Sequence, residues 1–233
     1  MAPGTMALQN LLNVRERLTG QTALHFAADS GHGDAVTALL ELAPNKDAMV
    51  AAVDRCGQYT ALHLAAEKGR TTAARALLEL APDRGALLAM GERCAGQLAL
   101  HLAAGAGHCE VVRELLELAP DRASLLTMAD STGGFSVLHI AAERGHKDVA
   151  QVVLEMAPDR GALLRVAVER WCNFTALHLA AYKGHEDTAK VLLDLAPDRR
   201  AVLSQRDNRG RMALQLAADR GHQGVAAALA AAA

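Results

Sequence analysis

Ten histidines and four cysteines are the residues of this chain that could hold a metal, shuttle protons or attack a carbonyl. Zinc chemistry needs several N or S ligands at short spacing, as in His-Glu-x-x-His on a helix or a pair of Cys-x-x-Cys steps. Neither spacing occurs: His185-Glu186 has no second histidine at the required step, and no cysteine has a partner three residues away. Cys109 adjoins His108, but adjacency along the chain does not aim an imidazole lone pair at a thiol. Gly105-Ala-Gly107 follows a helical pattern rather than a strand, so it opens no phosphate loop. No catalytic residue, metal or cofactor is expected, and the chain reads as a non-enzyme.

The histidines are ordered in another way. Five lie in one recurring phrase: Thr22-Ala-Leu-His25, Thr60 to His63, Leu98-Ala-Leu-His101, Ser136-Val-Leu-His139 and Thr175 to His178. The steps between them are 38, 38, 38 and 39 residues, and 37 more reach Gln215 in a decayed sixth copy. The other five, His32, His108, His146, His185 and His222, each follow a glycine shortly after the phrase. A fixed period of this length means stacked structural units that bury their faces on one another.

Residues 54–91 serve as the sample unit. Thr60 caps a short apolar helix carrying Ala61, Leu62, Leu64, Ala65 and Ala66, and Gly69 ends it in a left-handed turn. A second helix is expected from about Thr71 to Leu80, with Ala74, Leu77, Leu78 and Ala81 on one face. Pro82 stops it, because the residue before proline avoids helical angles. Pro44, Pro120, Pro158 and Pro197 recur at the same place, 19 residues after each repeat histidine. Asp83 then caps one more turn that carries Leu87 and Leu88 inward, and a polar, glycine-bearing finger leads to the next unit. The single-residue insertion and deletion both fall in the interval that contains the finger, where length changes cost little.

Composition narrows the field further. Half the residues are apolar, mostly Ala and Leu, and net charge is −2. That balance disfavours nucleic acid, which calls for a basic stripe. No apolar run reaches the ~18–20 residues that span a bilayer, and the first residues lack a signal-peptide pattern. Cys56 and Cys94 occupy one place in adjacent units, roughly 10 Å apart against a ~7 Å limit for a disulfide. Four free thiols fit a reducing compartment, so a cytoplasmic or nuclear, non-secreted chain is expected, and the sequon at Asn173 then carries no meaning. Glu16, Asp54, Glu92, Asp130 and Glu169 form a ladder beside Arg17, Arg55, Arg93 and Arg170. It reads as a solvated ion-pair stripe along the fingers, or less simply as a rail for an acidic peptide.

Residues 131–154 (STGGFSVLHIAAERGHKDVAQVVL) and 207–229 (DNRGRMALQLAADRGHQGVAAAL) resemble the ankyrin repeat, with its Gly-x-Thr-x-Leu-His-x-Ala-Ala-x-x-Gly-His core. A tetratricopeptide array is rejected, since it needs a 34-residue period and another Trp/Tyr/Pro pattern. The resemblance implies an all-α ankyrin-repeat solenoid of helix–turn–helix units with finger loops. The units exceed the usual 33 residues, so a lengthened second helix or an extra short helical turn per repeat is expected. Residues 1–20 are read as a partial repeat or N-terminal cap, with Leu11-Leu12 matching Leu87-Leu88. Residues 21–233 are read as one elongated array of five to six repeats.

The resemblance also implies a monomeric scaffold that binds a protein or peptide on its concave face, using finger positions and the two residues after each Ala-Ala. Phe26 is assigned to the core. The other aromatics, Tyr59, Phe135, Trp171, Phe174 and Tyr182, fall on those variable positions, as do Glu67, Glu143, Arg144 and Lys183, with Arg170 beside them. These ten residues form the expected partner site, densest in the fourth and fifth repeats. The competing role for Phe135 and Phe174 is packing of finger against finger. Two other functions fit the residues: a regulatory array from a larger enzyme, channel or ubiquitin-ligase component, and an oligonucleotide binder stacking bases on Trp171, Phe174 and Tyr182.

Overall fold

Each repeat folds where its local signals say it should. The computed structural model of the chain describes Leu12 and residues 14–232. These divide into two units, one ending at Asp121 and the other beginning at Arg122. The first unit holds α1 (Ala23–Ser30), α2 (Gly33–Leu42) and the short α3 (Lys46–Val50). It continues with α4 (Ala61–Glu67), α5 (Thr71–Leu80), α6 (Arg84–Leu88), α7 (Ala99–Ala106) and α8 (Cys109–Glu117).

The second unit opens with the short α9 (Arg122–Thr127), then α10 (Val137–Arg144), α11 (Lys147–Met156) and α12 (Arg160–Arg165). A two-stranded hairpin follows, β1 (Ala167–Val168) against β2 (Phe174–Thr175), antiparallel with Ala167 opposite Thr175. Next come α13 (Ala176–Lys183), α14 (Glu186–Asp194), α15 (Arg199–Leu203), α16 (Ala213–Asp219) and α17 (Gln223–Ala231).

Within the first unit α1 packs on α4 and α4 on α7, while α2 packs on α5 and α5 on α8. The second unit repeats the scheme, α10 on α13 on α16 and α11 on α14 on α17. The Ala-Ala pairs Ala65-Ala66 and Ala180-Ala181 are buried at these contacts. Their small side chains let neighbouring first helices approach closely and still exclude water.

The extra residues per repeat form a separate short helix rather than a longer second one. Ala43, Ala81 and Ala157, each just before a proline, leave helical angles for extended ones at ψ 121°, 128° and 129°. Asn45, Asp83, Asp159 and Asp198 then cap the short helices, accepting backbone N–H bonds of 3.0, 2.8, 2.8 and 3.0 Å. Leu87 and Leu88, and Leu163 and Leu164, are thereby driven into the core. Each such side chain contributes about 1.5–3 kcal/mol. Leu12 is also buried, whereas residues 1–11 and 13 of the expected N-terminal cap lie outside the described residues.

The inserted residue of the fifth repeat lies in its finger, between β1 and β2. There Cys172 and Asn173 take left-handed angles, φ 55° and 59°, to turn the chain back. One assignment is corrected: Phe26 is 46% exposed, whereas its counterpart Leu64 is 6% exposed. Leu64 lies on α4, which packs on both α1 and α7.

Candidate functional site

Histidines tie neighbouring elements of the repeats together. In the first unit His25 Nδ1 accepts the backbone N–H of Thr22 at 3.2 Å, and its Nε2 meets the Tyr59 carbonyl of the next finger at 3.1 Å. His63 repeats this with Thr60 and Gln97, both at 3.2 Å. In the second unit His139 joins Ser136 to Val166 and His178 joins Thr175 to Arg211. A backbone N–H can only donate and a carbonyl can only accept, so these rings are neutral with the proton on Nε2. Burial lowers the pKa of all four, His139 to about 4.

The second set ties each turn to the one before. His108 Nε2 donates to the Glu67 carbonyl at 3.0 Å in the first unit. His185 and His222 reach Glu143 and Tyr182 carbonyls at 2.9 and 3.1 Å in the second. Arg70 stands in the same place and donates to the Asp29 carbonyl at 2.9 Å.

The carboxylate ladder is corrected. Asp54, Glu92 and Asp130 are buried and bind the backbone of their own fingers instead of pairing with arginines in solvent. Asp130 Oδ1 accepts N–H bonds from Gly133, Gly134 and Phe135 at 2.9, 2.8 and 3.0 Å. Glu92 does the same for Cys94, Ala95 and Gln97. The N–H groups of Thr19 and Leu18 bring Glu16 down to about 2. Asp207 holds the sixth finger, and Glu169 is exposed. The arginines bond to carbonyls: Arg55 to Arg17 and Arg170 to Ser131, at 3.2 and 3.0 Å. A finger's polar backbone is satisfied from within, so its shape does not depend on a partner.

On these fingers the expected site residues divide. In the first unit Tyr59 is half-buried, its ring 5.9 Å from that of His63, and Glu67 is half-buried beside Lys68 at 3.7 Å. In the second unit Trp171 is 40% exposed and lies on Phe135, with ring centroids 5.5 Å apart. Tyr182 is half-buried and tilts against Phe174 at 5.8 Å, while Phe174 stacks on His178 at 5.7 Å. Glu143 and Lys183 pair at 3.1 Å, and Arg144 and Arg170 are exposed.

Phe135 and Phe174 are 8% and 3% exposed and lie against Trp171 and Tyr182. Both are wedges that hold the outer rings in place.

The expected residues are densest in the fourth and fifth repeats, and the fold brings side chains of the sixth beside them. A cavity of ≈ 290 Å³ opens between the fifth and sixth fingers, walled by Trp171, Phe174, Tyr182 and Leu216. Arg209, Arg211, Arg220 and Asp219 complete its lining. The Arg220 guanidinium lies 3.7 Å above the Tyr182 ring centre and donates to its hydroxyl. Arg211 is held by Asp207 at 2.9 Å and Asp219 at 3.7 Å. Arg209, Arg211 and Arg220 all occupy variable finger and helix positions, yet only folding brings them to the aromatic rings. Their signal in the sequence is position alone.

The model for ankyrin repeats (3 copies) matches the chain three times, over residues 4–88, 85–162 and 160–233. A crystal structure of EF0377, an ankyrin repeat protein, is similar with a TM-score of 0.70 at 24% identity, covering 89% of this chain and 96% of the other. At that identity the likeness speaks for the fold. A search of curated proteins found no match. Ankyrin repeats are in general protein–protein interaction modules, and no described helix is long and apolar enough to cross a membrane. With matches that together run from residue 4 to residue 233, the chain belongs to the ankyrin-repeat family.

Proposed function

We propose that this chain is a non-enzymatic scaffold that binds a protein or peptide partner on the face made by its fingers and first helices. The observation that carries the reading is Trp171, 40% exposed, propped on the buried Phe135 beside Tyr182, which rests on the buried Phe174. Tryptophan, tyrosine and arginine dominate the energetics of protein interfaces. Rings already held in place lose little freedom on binding. Arg144, Arg170, Glu143 and Lys183 provide a charged surround, and Tyr59 and Glu67 offer the same kind of surface in the first unit.

The reading takes residues 21–233 as one ankyrin array, monomeric, working in the cytoplasm or nucleus, where its four free cysteines remain thiols. Affinity capture with Trp171→Ala and with Tyr182→Ala is the test. Each variant is expected to lose the captured partner while helix content by circular dichroism stays unchanged. Capture undiminished in both would remove this face as the binding surface.

A further inference from the structure

Resting on that reading, we infer that the cavity between the fifth and sixth fingers takes an acidic segment of a partner protein, in which an aromatic or branched aliphatic side chain sits beside Asp or Glu. The apolar half of this requirement comes from the walls. Trp171, Phe174, Tyr182 and Leu216 line ≈ 290 Å³, at the small end of the about 300–1,000 Å³ typical of pockets for whole small molecules. That suits one inserted side chain with its flanks lying outside.

The charged half comes from an imbalance around the rim. Three guanidiniums face a single lining carboxylate, Asp219. Arg211 is already paired, with Asp207 and Asp219. Arg220 stacks on Tyr182 and donates to its hydroxyl, contacts that leave its charge unneutralised. Arg209 is exposed, and only its backbone N–H is engaged, with Asp207 at 2.8 Å. Among the described residues neither Arg209 nor Arg220 forms an ion pair with a carboxylate. Two planar, fork-shaped cations beside an aromatic wall match a carboxylate flanking an apolar side chain, since guanidinium binds carboxylate through two parallel hydrogen bonds. The charge also gives direction, because it rejects a basic segment of equal hydrophobicity. A phosphate backbone would meet the same cations, but the basic groups gather at one pocket instead of tracking along a strand.

Trp171 is the only tryptophan of the chain, so its emission reports on this pocket alone. The experiment is selection of a random-peptide display library on the full chain, followed by titration of the synthetic winners with Trp171 fluorescence as readout. Peptides enriched in Asp or Glu next to Phe, Tyr, Leu or Ile are expected. They should shift Trp171 emission and bind about tenfold more weakly to Arg209→Glu and to Arg220→Glu. Both side chains are exposed, so circular dichroism of the variants should match the parent. Winners that are basic or neutral, that ignore both charge reversals, or that leave Trp171 emission unmoved would overturn this assignment and leave the protein-interaction reading standing. No enrichment at all, together with a shift of Trp171 emission by an oligouridylate, would overturn both.

Discussion

A neutral imidazole that accepts at one nitrogen and donates at the other is a better tie than a carboxylate here, because it links an N–H of its own helix start to a carbonyl of the next finger. His139 does this between Ser136 and Val166 while 1% exposed, and burial pushes it down to about 4. In the unfolded chain the same ring titrates near about 6.5. The unfolded state therefore binds the extra proton first as pH falls. The contribution of His139 is fully present above about pH 6.5 and is lost progressively down to about pH 4, on the order of 3 kcal/mol in all. His25, His63 and His178 shift in the same direction. Gln215 shows what glutamine can do at this position, accepting the Met212 N–H at 2.9 Å. His139→Gln should thus keep the helix cap, cost about 1–2 kcal/mol at neutral pH, and flatten the dependence of the urea midpoint on pH between 6.5 and 4. Equal pH slopes in parent and variant would show that His139 does not titrate in this window.

Between the two helices of a repeat, the glycine turn has two separate reasons to lack a side chain. At Gly184 φ is +83°, and a Cβ would lie 2.7 Å from the His222 ring that is bonded to the Tyr182 carbonyl. At Gly221 φ is +75°, but a Cβ would meet nothing within 4 Å. Both alanine variants incur the left-handed penalty of about 1–2 kcal/mol. Gly184→Ala must in addition displace His222, so chemical denaturation should find it less stable than Gly221→Ala by a further roughly 1–3 kcal/mol. Equal losses would mean that the ring yields freely. The left-handed turn is legible in the sequence, since glycine follows each first helix. The ring lying against it is not, because that histidine comes from the next repeat along. Fingers carry the same lesson. Asp130 is readable as a turn residue, but its three N–H bonds and its burial depend on the loop closing over it.

Across the whole molecule, stability is a sum of hairpins and of the faces between neighbours. Helix α14 packs on both α11 and α17, whereas α17 buries only Val225 and Leu229 against α16 and α14. Hydrogen exchange is therefore expected to run faster in residues 223–231 than in residues 186–194, read by mass spectrometry on the intact chain. Comparable protection in both segments would mean that the two helices open as one cooperative block. No shift in the fold is needed for binding on this scheme, since the finger face is braced from beneath by Phe135 and Phe174 before any partner arrives.

Period, helix limits, proline stops and the extra short helix could all be read from contiguous residues, because capping, hydrophobic spacing and left-handed glycines act within a few positions of one another. Exposure could not. Whether Phe135 lies beneath Trp171, and whether Arg209 and Arg220 meet Trp171 and Tyr182, depend on groups about one repeat away along the chain. Stacking brings those groups together, and it alone decides which side of an aromatic ring remains for a partner.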